Sequence, residues 1–356
     1  MVKKQVSAHF LQPKGKIKPW PSGVNYLDPM SLTYTNVNLV PRLSDIKTRK
    51  NIDTSVKFGP FKLKIPILSG PMDTVTGEKM ARTLHKLGGL AVMPRATFNQ
   101  KSKNVKLCQK LSGDKVNAIW SIGFKDTEDY ILKLKAVGAK MILIDIAHGG
   151  IQTAIQKAMK VKKMGVEVLM GNIANYEQAK FYKRHDLKYV RVGVGPGGLC
   201  TTRLVAGTGV GQLSAVLDVS ATGVDVVADG GIRHPGDVAK AIAAGAKVVM
   251  IGSLLTGTDE APGKIINNTK VARGQASNTY MKDNHVKINE FRAPEGIQTT
   301  VKLKGPAENT IHFLVGGLRS AMSYAGAKNL DEFHQKALFV LASEAVQKEN
   351  LPHINL

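Results

Sequence analysis

Cysteine, aromatic residues, acids and long apolar runs are all scarce in this sequence, and each scarcity excludes a class of protein. The 356 residues contain two cysteines, Cys108 and Cys200. Two thiols cannot form the disulfide framework of a small secreted fold, so a core must hold the chain, and a reducing, cytoplasmic setting is expected. No stretch approaches the ~20 consecutive apolar residues of a membrane-spanning helix. The lysine-rich start shows no apolar segment followed by a cleavage site, so no secretory signal is expected. Aromatics make up 6% of the residues, and they do not interleave with the basic stretches as a base-stacking surface requires. Acids are outnumbered, 27 Asp and Glu against 50 Lys and Arg, for a formal net charge of +23. Up to Tyr26 the chain carries Lys3, Lys4, Lys14, Lys16 and Lys18 and no acid. That balance suits either a polyanion such as RNA or a plain solvated lysine surface. Without an interleaved stacking pattern the second reading is favoured, and an anionic nucleotide substrate fits the charge as well.

What is present is an alternation. Eight short apolar runs end in small or polar residues: 65–69, 89–93, 117–121, 141–145, 167–172, 188–193, 224–229 and 247–253. Between them lie helical patterns, for example 78–87, 127–137, 151–163, 176–184 and 237–244, several closed by a glycine such as Gly88, Gly138, Gly165 or Gly245. Eight buried strands alternating with helices predict a (β/α)8 barrel, an α/β fold with a parallel core. The expected organisation is a basic segment over residues 1–30 and one barrel domain over 31–356. The stretch from about Thr256 to Asn309 shows few regular patterns, and a loop of that length predicts a flap at about 258–309.

The most informative stretch is Gly193-Val-Gly-Val-Gly-Pro-Gly-Gly-Leu-Cys-Thr-Thr-Arg203. An apolar strand stops in a glycine-rich turn, and the turn presents Cys200. Glycines free the backbone to aim carbonyls and amides at a ligand. A thiol there, beside Arg203, is placed as a nucleophile rather than as core filler. In a barrel of this kind chemistry sits at the carboxyl ends of the strands. Those ends carry Ser69, Asp145, Asn172, Cys200, Asp229, Gly230, Gly231, Gly252 and Ser253. Any one Asp or Asn could simply cap the next helix; the set converging on one rim points to a site. The turns after strands seven and eight, Asp229-Gly-Gly-Ile232 and Gly252-Ser-Leu254, have the make-up of a phosphate site.

These residues resemble the IMP dehydrogenase/GMP reductase family, from about Leu32 onward. The resemblance is carried by Tyr34-Thr-Asn-Val-Asn-Leu-Val-Pro-Arg42, Gly70-Pro-Met-Asp-Thr-Val75, Ile144-Asp-Ile-Ala-His-Gly149, Met170-Gly-Asn-Ile173, the Cys200 segment, Ala228-Asp-Gly-Gly-Ile232, Gly252-Ser-Leu-Leu-Thr-Gly257, Pro294-Glu-Gly296 and Gly316-Gly-Leu-Arg-Ser320, in family order. It implies covalent chemistry at purine C2. Cys200 would attack the base, with Thr202 and Glu295 serving proton transfer. Ser69, Met72, Asn172, Asp229, Gly230, Gly231, Gly252, Ser253, Gly274, Gln275, Arg292 and Gly296 would bind a purine nucleoside monophosphate. Among these, Asp229 would take the ribose hydroxyls, and Gly231, Gly252 and Ser253 the 5′-phosphate. Thr48, Arg49, Asp145, Ile146, Ala147, Val194, Gly195, Phe291, Arg292, Ser320 and Ser323 would hold a nicotinamide dinucleotide, some of them across a subunit boundary of a homotetramer. Gly195, Gly197, Cys200 and Arg203 would form a potassium site.

The flap chooses the branch. A dehydrogenase of this family carries an adjacent Arg-Tyr that activates water, and none occurs between Gly274 and Gly296. The segment Glu290-Phe-Arg-Ala-Pro-Glu-Gly296 resembles the short reductase flap. Only residues 96–116 link strands two and three, so the regulatory insertion common in dehydrogenases is absent. The expected activity is therefore NADPH-dependent reduction of GMP to IMP and ammonia. The alternatives are an insertion-free IMP dehydrogenase using NAD, with Arg292 or Arg273 activating water, and a basic RNA-binding or regulatory barrel with a decayed site. The chain departs from the family at Gly198, where a phosphate-binding serine is usual, and at Ala272, Gln275 and Pro94.

Overall fold

A computed structural model describes residues 17–19, 25–27, 31–284 and 288–351. Lys3, Lys4, Lys14 and Lys16 of the basic segment lie outside the described residues. Strands β1 (Ile17–Pro19) and β2 (Asn25–Leu27) pair antiparallel ahead of the main fold, as do β4 (Val56–Phe58) and β5 (Phe61–Leu63). Strand β3 (Val37–Leu39) comes between them in sequence and pairs near the end of the chain with β16 (Phe339–Leu341).

The eight apolar runs form one closed parallel barrel: β6 (Ile67–Ser69), β7 (Leu90–Met93), β8 (Ala118–Ile122), β9 (Met141–Asp145), β10 (Glu167–Ile173), β11 (Tyr189–Val192), β12 (Asp225–Asp229) and β13 (Ala246–Ile251), with β13 returning to β6. The closing register sets Val249 opposite Ile67, Met250 opposite Leu68 and Ile251 opposite Ser69. These strands read as continuous apolar runs because both faces are covered, by barrel filling inside and by helices outside. The predicted helices form where expected, at Glu78–Leu87, Glu128–Ala136, Gln152–Lys163, Tyr176–Arg184 and Pro235–Ala243. Their ends obey local chemistry. Thr127 and Asn175 accept N-cap hydrogen bonds from the Tyr130 and Gln178 amides, and Gly88 ends its helix at φ 83°. The outer helix after β13 is displaced in sequence: Ala307–Tyr324 packs against helices Pro235–Ala243 and Glu78–Leu87 and completes the ring.

The barrel interior is layered. Side chains alternate along each strand, so Met141, Leu143, Leu169, Val227, Val248 and Met250 point inward in the lower layers. The β4–β5 hairpin closes the amino-terminal end, adding Phe58, Phe61 and Leu63 to that apolar cluster, with Phe58 edge-on to Tyr189 at 5.4 Å. At the carboxyl end the same faces present Asp145, Arg191 and Asp229. An apolar floor thus lies beneath a charged upper layer.

The expectation of little regularity over 256–309 is corrected. That segment holds β14 (Thr269–Arg273) and β15 (Gln298–Lys302), an antiparallel pair, with a short helix Asn278–Asp283 between them. β15 is largely exposed and each strand finds its partner only after a long excursion, so no local pattern marks them. Lys270 anchors the pair. Its buried ammonium donates to the carbonyls of Thr258 (2.8 Å), Asp259 (3.3 Å) and Ala261 (2.7 Å), and burial lowers its pKa. Among the described residues no helix is long and apolar enough to cross a membrane.

Candidate active site

The chain leaves β11 at Gly193, whose φ is 146°; a Cβ there would meet the Asp229 carbonyl oxygen at 2.1 Å, so only glycine fits. The loop folds back through Pro196, whose carbonyl accepts from the Gly231 amide at 3.1 Å. This bond ties the cysteine loop to the turn after β12. The Cys200 amide donates to Gly197 O at 3.0 Å, and the exposed Cys200 Sγ lies 3.1 Å from Thr202 Oγ1. That contact suits proton exchange between thiol and hydroxyl. Cys108, by contrast, is buried, and burial pushes its thiol up to about 11.

The flap clamps this loop. The Thr201 amide donates to Glu295 O at 2.9 Å, the Ile297 amide to Leu199 O at 3.0 Å, and the Glu295 amide to Ala276 O at 3.0 Å. Gly274 and Gly296 both abut Leu199 O, where a Cβ on either would stand at 3.2 Å. The backbone of Glu295 is thereby held against Thr201, the residue between Cys200 and Thr202. Gln275 donates through its side chain to Pro71 O. Arg273 fastens the flap to the barrel. Its Nη2 lies 2.6 Å and its Nε 3.1 Å from Asp73 Oδ2, its Nη1 reaches Asp283, and its plane covers Tyr280 at 5.4 Å. The Asp73 bonds, outweighing burial together with Asp283, hold the Arg273 pKa well above its ordinary value.

Arg191 commands the upper layer. Its Nη1 donates to Asp145 Oδ1 at 2.5 Å and its Nε to Asp229 Oδ2 at 2.9 Å. Burial opposes its charge, but the two carboxylates outweigh burial and raise its pKa. Asn172 Nδ2 donates to Asp229 Oδ2 (2.9 Å) and to Gly193 O (2.7 Å). The Ile146 amide donates to Gly171 O, and the Asn172 amide to Ile146 O, which joins the loops after β9 and β10. Arg95 Nε lies 3.2 Å from Asp145 Oδ2, yet neither atom has a partner in hydrogen-bond geometry. Arg191 and Arg95 were not among the residues expected from sequence. The signal for Arg191 was present, as a charge in the middle of the apolar run Tyr189-Val-Arg-Val192.

Other predicted residues fall into three groups. Met72, Gly252 and Ser253 meet at the end of β13, with the Met72 sulfur 3.3 Å from where a Gly252 Cβ would stand. Gly198 faces Ser253, and Lys304 Nζ donates to Ser253 O at 3.1 Å. Thr48, Arg49, Ser320 and Ser323 gather instead around the helix Ala307–Tyr324, where Arg49 lies over the Tyr324 ring. No hydrogen bond or ion pair among the described residues joins them to the Cys200 loop. Phe291 and Arg292 stand exposed on the outer turn of the flap, and Ala147 is exposed beyond β9.

Two expectations are corrected. Ser69 is fully buried: the strand alternation that points Leu68 inward turns Ser69 away from the barrel axis, and its hydroxyl accepts from Thr76 Oγ1 at 2.8 Å. Arg203 does not face the thiol. Its guanidinium donates to the carbonyls of Val194 and Val210, and its stem packs on Gly195, so it braces the loop.

A family model described as IMP dehydrogenase / GMP reductase domain matches residues 31–353. Inosine-5'-monophosphate dehydrogenase of Cryptosporidium parvum is 32% identical over 380 aligned residues, covering 90% of this chain and 94% of that protein. GMP reductase of Ligilactobacillus salivarius is 37% identical over 306 residues, covering 83% and 92%. Several other dehydrogenase relatives are matched over only about half of their length. Among solved structures, a cysteine-to-alanine variant of GMP reductase from Trypanosoma brucei, in complex with guanosine 5'-monophosphate, superposes with a TM-score of 0.82 at 26% identity, covering 92% of this chain and 98% of the other.

Proposed function

Because the chain belongs to the IMP dehydrogenase/GMP reductase family, and is thus an NAD(P)-dependent oxidoreductase of purine metabolism, we propose that it is a GMP reductase, converting GMP to IMP and ammonia. One observation carries this reading. The flap seats Glu295 against Thr201, beside the Cys200–Thr202 pair, while Arg273 is engaged by Asp73 and Asp283 instead of being free to activate water.

The steps follow from the residues. The ribose hydroxyls donate to Asp229, and the backbone at Gly231, Gly252 and Ser253 receives the 5′-phosphate. Cys200 Sγ attacks C2 of the guanine, its proton passing to Thr202 Oγ1. Thr202 and Glu295 deliver a proton to the exocyclic amine, which departs as ammonia. NADPH, when bound, supplies the hydride that takes the place of the amine at C2. Release of the thiolate then frees IMP. Asp145 Oδ2, buried and without a hydrogen bond though ion-paired with Arg95 Nε at 3.2 Å, would accept from the carboxamide N–H of the dinucleotide. Carbonyl oxygens of Gly195, Gly197 and Cys200 are the hard donors a potassium ion needs, and the ion would stiffen the loop that carries the nucleophile. The proposal extends to one barrel domain over 31–356, a cytoplasmic homotetramer, and Thr48, Arg49, Ser320 and Ser323 completing a neighbouring subunit's dinucleotide site. It leaves Phe291 and Arg292 on the flap to cover the dinucleotide and the base.

The Cryptosporidium parvum relative, matched along nearly its whole length, favours a second reading as an IMP dehydrogenase, with Arg292 activating water. The deciding assay mixes purified protein with GMP, NADPH and potassium and follows NADPH loss and ammonia together. Matched loss and release support the reductase. NAD reduction with IMP, and no NADPH loss with GMP, would replace it with the dehydrogenase.

A further inference from the structure

Arg191 holds two carboxylates with one guanidinium, and the two belong to different halves of the site. We infer that Arg191 is a positioning residue that couples those halves, so that occupancy of Asp229 by ribose hydroxyls raises the affinity of the Asp145 side for the dinucleotide. The inference rests on the functional reading above and deepens it.

The geometry is specific. The guanidinium is planar and rigid, so its Nη1–Asp145 bond of 2.5 Å and its Nε–Asp229 bond of 2.9 Å cannot be set independently. The side chain is 12% exposed, so water does not substitute freely for either carboxylate. Gly171 clears the space it fills: a Cβ there would stand 2.5 Å from Arg191 Cβ. Each carboxylate commits one oxygen to Arg191 and keeps the other. No hydrogen bond among the described residues reaches Asp229 Oδ1, and Asp145 Oδ2 is buried without one. Asp229 Oδ1 is left for a ligand, and so is the hydrogen-bonding capacity of Asp145 Oδ2, whose neighbour Arg95 Nε forms a 3.2 Å ion pair without hydrogen-bond geometry. Whichever ligand donates first fixes its carboxylate, the carboxylate fixes the plane of Arg191, and that plane fixes the second carboxylate. Rotamer freedom removed by the first ligand need not be removed again by the second, which is positive coupling. Linkage makes the effect reciprocal. A single shared group belongs at the low end of measured couplings, about fivefold in affinity.

The test must exclude direct stacking of the purine on the nicotinamide. Ribose 5-phosphate does so, because it offers hydroxyls and phosphate without a base. Calorimetry gives the NADP+ dissociation constant with and without saturating ribose 5-phosphate. The wild-type protein should bind NADP+ about fivefold more tightly with the sugar phosphate present, and the sugar phosphate should tighten by the same factor with NADP+. Arg191→Lys keeps a charge but cannot span both carboxylates, and it should bind both ligands with the tightening lost. Gly171→Ala, which displaces Arg191 without altering its charge, should do the same if Arg191→Lys does not fold. Equal affinities with and without ribose 5-phosphate in the wild type would overturn the inference, as would full tightening in a folded variant. In either case GMP-dependent NADPH oxidation by the wild type would show that the reductase reading stands without it. Wild-type protein that binds neither GMP nor NADP+ would sink both.

Discussion

Replacing Arg273 by Met should loosen the flap without unfolding the barrel. The guanidinium joins three pieces of chain: the end of β14, the barrel loop at Asp73 and the flap helix at Asp283. Its side chain is 16% exposed, Asp73 32% and Asp283 62%. The Asp73 pair is partly shielded, and hydrogen bonds to a charged group contribute about 1.5–3 kcal/mol. The Asp283 pair is open to water and adds about 0–1 kcal/mol. Contact with the Tyr280 ring adds about 0.5–1 kcal/mol. Asp73 rehydrates once its partner is gone, which cancels part of the total. A net loss of about 2–3 kcal/mol in flap docking remains, or roughly 30- to 150-fold in the open-to-closed ratio. Hydrogen exchange read by mass spectrometry checks this. Protection over 269–302 should fall by about that factor while the strands β6–β13 keep theirs. Arg273→Lys should restore only part, since a single ammonium cannot reproduce the fork on Asp73. Unchanged exchange in the flap would refute the anchoring argument. An equal rise in the barrel would also refute it, because the residue would then support the whole fold.

Three further outcomes follow from the same contacts. Gly198→Ser should be tolerated, since its Cβ would stand at ordinary contact distance, 3.4 Å, from Ser253 Oγ; the added hydroxyl should lower the KM for GMP by about fivefold, the worth of roughly 1 kcal/mol for one hydrogen bond at a half-open site, and an unchanged KM would place the phosphate elsewhere. Iodoacetamide should label Cys200 and spare Cys108 in the native protein, because burial keeps the second thiol protonated up to about 11; peptide mapping that finds both labelled at equal rates would contradict the burial. His334 is half-buried, its Nε2 is shut from water without a hydrogen-bond partner, and burial lowers its pKa. Below about pH 6.5 the unfolded chain gains a proton there that the folded chain refuses, so stability should fall as pH drops, with no such effect above that value. Thermal melts of His334→Leu between pH 5 and 7 should be flatter than wild type.

The barrel was legible because all eight of its strands are buried on both faces and punctuated by glycine. Met141–Asp145 and the helix Glu78–Leu87 match their sequence readings to the residue. The flap was not, because β15 is exposed along almost its whole length and its partner lies far back in the chain. The site was read mainly from strand ends, and hydrogen bonds through Arg191 join Asp145, Asn172 and Asp229 there. Ser69 failed for want of parity: it ends a strand, but one position off the inward face that Leu68 occupies. Arg203 failed because adjacency in sequence says little about direction, and the carbonyls of Val194 and Val210 claimed it. Arg191 appeared in sequence only as a misfit within an apolar run; its meaning needed the two carboxylates that folding brings from neighbouring strands.

The hairpin that stoppers the lower end of the barrel governs traffic. Phe58, Phe61 and Leu63 seal the floor with hydrocarbon, so among the described residues substrate, product and any small leaving group share the mouth beneath the flap. Ammonia set free under a closed flap has no rear exit and stays beside the carbon it left, available to return. Forward progress then depends on how soon the doorway opens relative to that return. Arg273 and Lys270, which touch none of the reacting atoms, thereby help set how often a turnover commits forward before it reverses.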